Sequence, residues 1–168
     1  TYSVKVVKDG ALVDTEQTED PDGTKDNASE PITLIINSPG GSVTAGLALI
    51  DTMQSLDCPV ITVGEGVVAS MAAVILACGD RRQVYRHTQV LIHQLMGGTG
   101  MAQQTDIEIV AQHTAAMRAE LDELLAEHGN LSAQEFHELT ERDCWCNAKR
   151  ALELGLVDEV IAPSKKAL

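Results

Sequence analysis

GEGVVASMAAVILACGD, residues 64–80, sits near the middle of the chain and governs how its surroundings are read. Glycines and small apolar residues lead to one serine, Ser70, and then to an apolar run. The preceding VITV, residues 60–63, reads as a short buried strand, Gly64 to Val68 as a turn, and Ser70 to Cys78 as a helix. Strand, turn, serine, helix leaves two roles for the hydroxyl. A serine at a helix start commonly caps the free N–H groups. A serine on a tight turn entering a helix can instead present its hydroxyl as a nucleophile. Residue type alone does not choose between them.

The same unit appears on both sides. Upstream, ITLIINSPGG holds a near-continuous apolar strand, Ile32 to Ile36, of the kind buried on both faces. SPGG breaks it, and Val43 to Met53 reads as a helix. Downstream come two short strands, Gln83 to Tyr85 and Gln89 to Ile92. Alternating apolar strands and helices define an α/β class. HQLMGGTGMAQQTDIEI is a glycine-rich loop in which Thr105 to Glu108 has the form of a capping box. It opens a long helix with Val110, Thr114, Met117, Leu121, Leu124 and Leu125 on one face, ended by Gly129. Glu120, Asp122, Glu123 and Glu127 load its other faces with acid. Such a helix serves a subunit contact or packs on its own sheet, and periodicity favours neither. Ser132 to Glu135 caps a shorter helix, Ala148 to Leu154 forms a last one that stops at Gly155, and LVDEVI closes with a strand. At the other end, YSVKVVKDGALV centres on Asp9-Gly10 and carries a hairpin signal.

Composition narrows the function. A chain of 168 residues is one domain with material for a core. Aromatics are 2%, so stacking platforms for bases or sugars are excluded. A net charge of −13 opposes a nucleic-acid groove and an anionic membrane surface. Much of that acid lies in DTEQTEDPDGTKDNASE, residues 14–30, which lacks the apolar residues to cover a core and reads as an exposed or disordered loop. No signal peptide or membrane span is apparent, and the apolar run at residues 66–78 is far too short to span. Cys58 and Cys78 lie in apolar runs. Cys144-Trp-Cys146 lacks a second pair at metal spacing, so free thiols in a reducing compartment are expected, with no metal site.

A serine needs a base to act as a nucleophile at neutral pH, and the base needs a third group to orient it. His87, His113, His128 and His137 fall in charged turns or on helices. His93 differs: it ends the apolar strand VLI, where α/β sites collect, though a structural histidine fits there too. Asp143, in Glu141-Arg142-Asp143, suits either a buried carboxylate beside arginine or a surface ion pair. SPGG, residues 38–41, allows close backbone approach and free amides at a helix start; it also suits an ordinary tight turn. It carries no phosphate-loop pattern.

INSPGGSVTAGLALIDTMQ, GVVASMAA, VLIHQ, GGTGMAQQTDIEI, TERD and ALELGLVDEVI, in this order across residues 32–161, resemble the proteolytic subunits of the Clp protease family. The order Ser, His, Asp also matches that family. The resemblance implies a ClpP/crotonase-like superhelix of repeated β-β-α units with a protruding handle helix. Residues 1–31 would form a divergent N-terminal hairpin and acidic loop, and residues 32–168 the peptidase domain. It implies Ser70 as nucleophile, His93 as general base and Asp143 as the acid that holds the imidazole. The amides of Gly41 and Met71 would form the oxyanion hole. Gly97 to Gln104 and the following helix would interleave two rings, Glu141 and Arg142 would link them, and the segment after Gly40 would pair with an extended peptide.

The implied activity is that of a serine endopeptidase cutting unfolded polypeptides inside a chamber of two stacked heptameric rings. The subunit would need no cofactor. ATP would be used by a partner AAA+ unfoldase of the ClpX, ClpA or ClpC type, in cytoplasm, an organelle matrix or stroma, or a viral host's cytoplasm. Three alternatives stand beside it. A crotonase-type acyl-CoA enzyme of the same superfold would not need Ser, His and Asp in register. A Ser–Lys signal-peptide peptidase would need a core lysine, and none lies between Asp26 and Ala148. A catalytically weak or inactive ring subunit would only support assembly.

Overall fold

The computed structural model describes residues 3–8, 11–13 and 30–162. Two strands, β1 (Ser3–Lys8) and β2 (Ala11–Val13), pair antiparallel with Lys8 opposite Ala11, as the hairpin signal expects; Asp9 and Gly10 themselves lie outside the described residues. Apart from the exposed Glu30, the acidic run lies outside the described residues. β1 also pairs antiparallel with β3 (Ile32–Ser38), the first strand of the parallel part of the sheet.

From β3 the chain winds strand to helix to strand. The helix α1 (Val43–Gln54) leads to β4 (Val60–Ala69), then α2 (Met71–Ala77), β5 (Arg81–Tyr85) and β6 (Gln89–Ile92). The long helix α3 (Gln104–His128) and α4 (Ala133–Leu139) follow, then β7 (Cys144–Asn147), α5 (Ala148–Glu153) and β8 (Glu159–Ile161). The eight strands form one sheet in the order β2-β1-β3-β4-β5-β8, with β6 on β4 and β7 on β6. This is the α/β class read from the sequence, with a sheet that curls at β4. α2 and α5 pack against it, α1 packs on α2, and α3 packs on α2 and α4. α2 is buried almost all round, through Met71, Ala72, Ala73, Val74, Leu76 and Ala77. Leu34, Ile36, Val68, Val84, Val90 and Ile92 supply the sheet side of the same core. Phe136, the chain's single phenylalanine, is fully buried in it.

The expected turn at Gly64 to Val68 is instead continuous strand. The first half of β4 pairs with β5, from Ile61 with Arg81 to Gly64 with Val84. Its second half pairs with β6, from Val67 with Gln89 to Ala69 with Leu91. The register with β3 slips between Ile36 and Ser38, and Gly66 has φ +62°. The glycines therefore serve a bulge that bends the strand between two partners, not a reversal of the chain. Asn37 Oδ1 accepts from Val67 N at 3.2 Å and holds the bend.

Two further expectations change. α3 starts at Gln104 with no side-chain cap, so Thr105 to Glu108 is not a capping box; the Gln104 amide donates to Glu108 at 3.0 Å instead. Asp122 does not face solvent: it is 6% exposed. The capping box at Ser132 is present, with both Ser132 and Glu135 side chains engaged. Gly129 has φ −101°, and a Cβ there would meet Phe136 at 2.6 Å, so it ends α3 by making room for the ring. Residues 103–113 are all exposed, including Ile107, Ile109 and Val110, while Leu125 packs into the core. No described helix is long and apolar enough to cross a membrane.

Candidate active site

Ser70 joins the end of β4 to the start of α2 with φ 58° and ψ −132°, the only positive φ outside glycine among the described residues. Such backbone costs roughly 1–3 kcal/mol and persists only when its surroundings enforce it. Here they do. Ser70 N donates to Leu91 O on β6 at 2.8 Å, and Ala73 N donates to Ser70 O at 2.9 Å. Its side chain makes no capping hydrogen bond, so the cap reading of this hydroxyl does not hold. Met71 is the first residue of α2, and its N–H has no acceptor within the helix.

SPGG lies directly against this turn. Gly40 is buried with φ +91°, and a Cβ there would stand 2.5 Å from Ala69 O, 2.5 Å from Ser70 Cβ and 3.0 Å from Met71 N. Only glycine allows both that φ and that approach. Gly40 N donates to the buried Ser38 Oγ at 3.2 Å, and Ser42 caps α1 through Ala45 N at 3.4 Å. The turn is thus pinned at both ends, with Gly41 exposed between them.

Ser70 and His93 line one cavity of about 320 Å³, together with Gly40, Gly41 and Met71. Val43, Val74, Ile92, Leu121 and Leu125 give it apolar walls. His93 follows β6 directly and is half-buried. Its neighbour Gln94 is fixed three ways: Gln94 N donates to Thr140 O at 2.8 Å, its amide donates to Glu141 O at 2.8 Å, and Oε1 accepts from Arg118 at 3.1 Å.

Asp143 is exposed and does not line the cavity. It precedes β7, and Ile92 pairs with Cys144 in the antiparallel ladder. The ladder ends at that pair, so His93 and Asp143 are the next residues beyond it on the two chains. No hydrogen bond joins Ser70 to His93, or His93 to Asp143, among those of the described residues.

A charged cluster on α3 forms another wall of the cavity, and the sequence reading missed it. Arg118 donates to Glu141 Oε2 and to His137 O, both at 3.0 Å. Asp122 accepts from His137 Nδ1 at 2.7 Å and lies 3.9 Å from Arg118 Nε. The hydrogen bond from Arg118 holds the Glu141 carboxyl below its ordinary range. Glu141, expected to link rings, is therefore engaged within its own chain. The available signal was that Arg118 is the single Lys or Arg on an otherwise acidic helix.

A family model described as Clp protease matches residues 24–164. The ATP-dependent Clp protease proteolytic subunit of Lactococcus lactis subsp. cremoris (strain SK11) is 43% identical over 143 residues, which is 83% of this chain and 69% of that protein. The same-named protein of Streptococcus sanguinis (strain SK36) is 43% identical over 146 residues, 85% of this chain and 72% of its own length. The ATP-dependent Clp protease proteolytic subunit 3 of Synechococcus sp. (strain CC9605) is 42% identical over 144 residues, 84% of this chain and 72% of its own. With a family match over most of its length and relatives at this identity, the chain belongs to the Clp protease family.

Proposed function

We propose that this chain is a Clp-type serine endopeptidase subunit whose nucleophile is Ser70. The observation that carries the reading is the strained, uncapped Ser70 turn facing the cavity it shares with His93. Ser70 Oγ attacks the peptide carbonyl carbon while His93 takes its proton. The proton then passes to the leaving amine, and water releases the acyl group by the reverse path. Asp143 holds the imidazole in the productive tautomer, after side-chain rotation closes the two hydrogen bonds. The amides of Gly41 and Met71 receive the oxyanion, and loss of one such donor costs about 3–4 kcal/mol in comparable sites. The apolar walls favour an uncharged side chain on the acyl side of the cut bond. An extended substrate adds alongside the segment after Gly40 by main-chain hydrogen bonds.

The names of the relatives include the words ATP-dependent. We assign that dependence to a partner AAA+ unfoldase of the ClpX, ClpA or ClpC type, with no cofactor in this subunit. The assembly is two stacked heptameric rings, with residues 97–104 and the first half of α3 as the handle between them. Exposed Met96, Met101, Ile107 and Ile109 support that contact, since apolar groups clustered on one projection mark an interface. Hydrolysis of a fluorogenic peptide tests the chemistry. The wild-type chain is expected to cleave it, and His93→Ala is expected to lose at least a hundredfold in rate. A His93→Ala protein that keeps most of its rate would remove His93 from the mechanism.

A further inference from the structure

The catalytic reading leaves Cys144 and Cys146 unused. Both are free thiols on β7, two residues apart on one face of the strand, with their sulfurs 3.7 Å from each other. Trp145 between them points the other way and is 56% exposed. Cys146 is fully buried, whereas Cys144 is partly open to solvent. Among the described residues β7 pairs only with β6, so it can pucker without breaking a second ladder.

We propose that Cys144 and Cys146 form a reversible redox switch that closes as a disulfide and displaces the catalytic acid. The oxidant is a small-molecule disulfide such as oxidised glutathione. The Cys144 thiolate attacks one of its sulfurs, forming a mixed disulfide and releasing one glutathione thiol. Cys146 then attacks the Cys144 sulfur, forming the intrachain bond and releasing the second glutathione thiol. Two electrons and two protons pass from the cysteine pair to the two glutathiones. Exposure decides the order of attack. Burial pushes the Cys146 thiol up to about 12, and the charge of Cys144 beside it adds to the rise. Capping Cys144 as a mixed disulfide removes that second cause and eases the resolving step.

Geometry couples the bond to the site. Alternate residues of an extended strand have Cα atoms about 6.4–6.8 Å apart. That lies at the upper edge of the disulfide range of about 4.4–6.8 Å. Closing the bond therefore shortens β7 at Cys144. Cys144 adjoins Asp143 in sequence and pairs with Ile92, which adjoins His93. A bond made against strand geometry is also readily reduced, as a regulatory disulfide must be.

The switch rests on the peptidase reading for its effect on rate, but its formation does not, and the test separates the two. The intact protein is equilibrated with oxidised glutathione, digested without reduction and analysed by peptide mass, with amide hydrogen exchange followed on β6 and β7. The 144–146 peptide is expected to be lighter by two hydrogens, with faster exchange at Ile92 and Cys144. Peptide hydrolysis is expected to fall at least tenfold and to return with dithiothreitol. Cys144→Ser and, separately, Cys146→Ala are expected to keep the reduced-state rate and to form no intrachain bond: Cys144→Ser ignores the oxidant, and Cys146→Ala stops at the Cys144–glutathione adduct. Two free thiols or a lasting glutathione adduct at this peptide would overturn the proposal and leave the peptidase reading intact. A disulfide that changes neither exchange nor rate would overturn the switch. If the reduced protein hydrolyses nothing, the mass and exchange data still decide the switch.

Discussion

At the scale of single residues, Gly40 and Ser70 define each other. Ser70 holds a backbone conformation that serine rarely adopts, and Gly40 fills the space against it with no side chain. Gly40→Ala places a Cβ 2.5 Å from the Ala69 carbonyl at φ +91°, and backbone cannot yield as a flexible side chain would. It is expected to destabilise the fold by about 2 kcal/mol or more, read as a lower urea midpoint, and to cost at least tenfold in peptide hydrolysis. A midpoint and rate equal to wild type would show that the contact is not needed. Ser70, His93 and the SPGG turn were legible because each sits where a strand meets a break. The strain at Ser70 was not, since φ is set by the neighbouring strand and helix rather than by serine. Nor was the burial of Asp122, because an acid on an acidic helix reads as solvated until His137 packs in from α4 beside Arg118, one turn away on the same helix.

Among elements, buried strands and helices were legible from apolar runs, and their boundaries were not. Gly64 and Gly66 read as a turn, yet β4 passes through them because two different strands offer it partners in succession. β7 escaped notice because CWCN is short and takes its strand character from pairing with β6. The sheet edge formed by β5 and β8 carries a testable electrostatic load. Asp158 accepts from the Arg82 backbone at 2.8 Å and from Arg82 Nε at 3.0 Å, and the same guanidinium reaches His128 O and Gly155 O. The side-chain hydrogen bonds from Arg82 hold the Asp158 carboxyl below its ordinary 3.8. A depressed carboxylate contributes stability above its unfolded pKa, and that stability is lost as pH falls through the folded value. Asp158→Asn is therefore expected to lower Tm at pH 7 and to flatten the fall in Tm on acidification through and below pH 3.8. Parallel Tm curves for the two proteins below pH 5 would contradict that role.

For the whole molecule, the fold and the peptidase family were readable because several motifs occur in one order, none of them sufficient alone. The position of the proposed acid was only half readable: Asp143 and His93 lie one residue beyond the last pair of the β6–β7 ladder, Ile92 with Cys144, and strand register appears in no motif. The proposed ring contact at the exposed apolar first half of α3 belongs to this scale too. Ile109 is 59% exposed in the protomer, so Ile109→Glu is expected to leave its thermal stability nearly unchanged while splitting the proposed double ring, read by light scattering. An unchanged assembly mass would move the ring contact elsewhere. The central claim is that Ser70 is the nucleophile, and covalent capture tests it most directly. The assembled protein is treated with a fluorophosphonate, digested, and the adduct located by peptide mass. The account expects a single adduct on Ser70, absent from Ser70→Ala; an adduct on another residue, or labelling that survives Ser70→Ala, would contradict it.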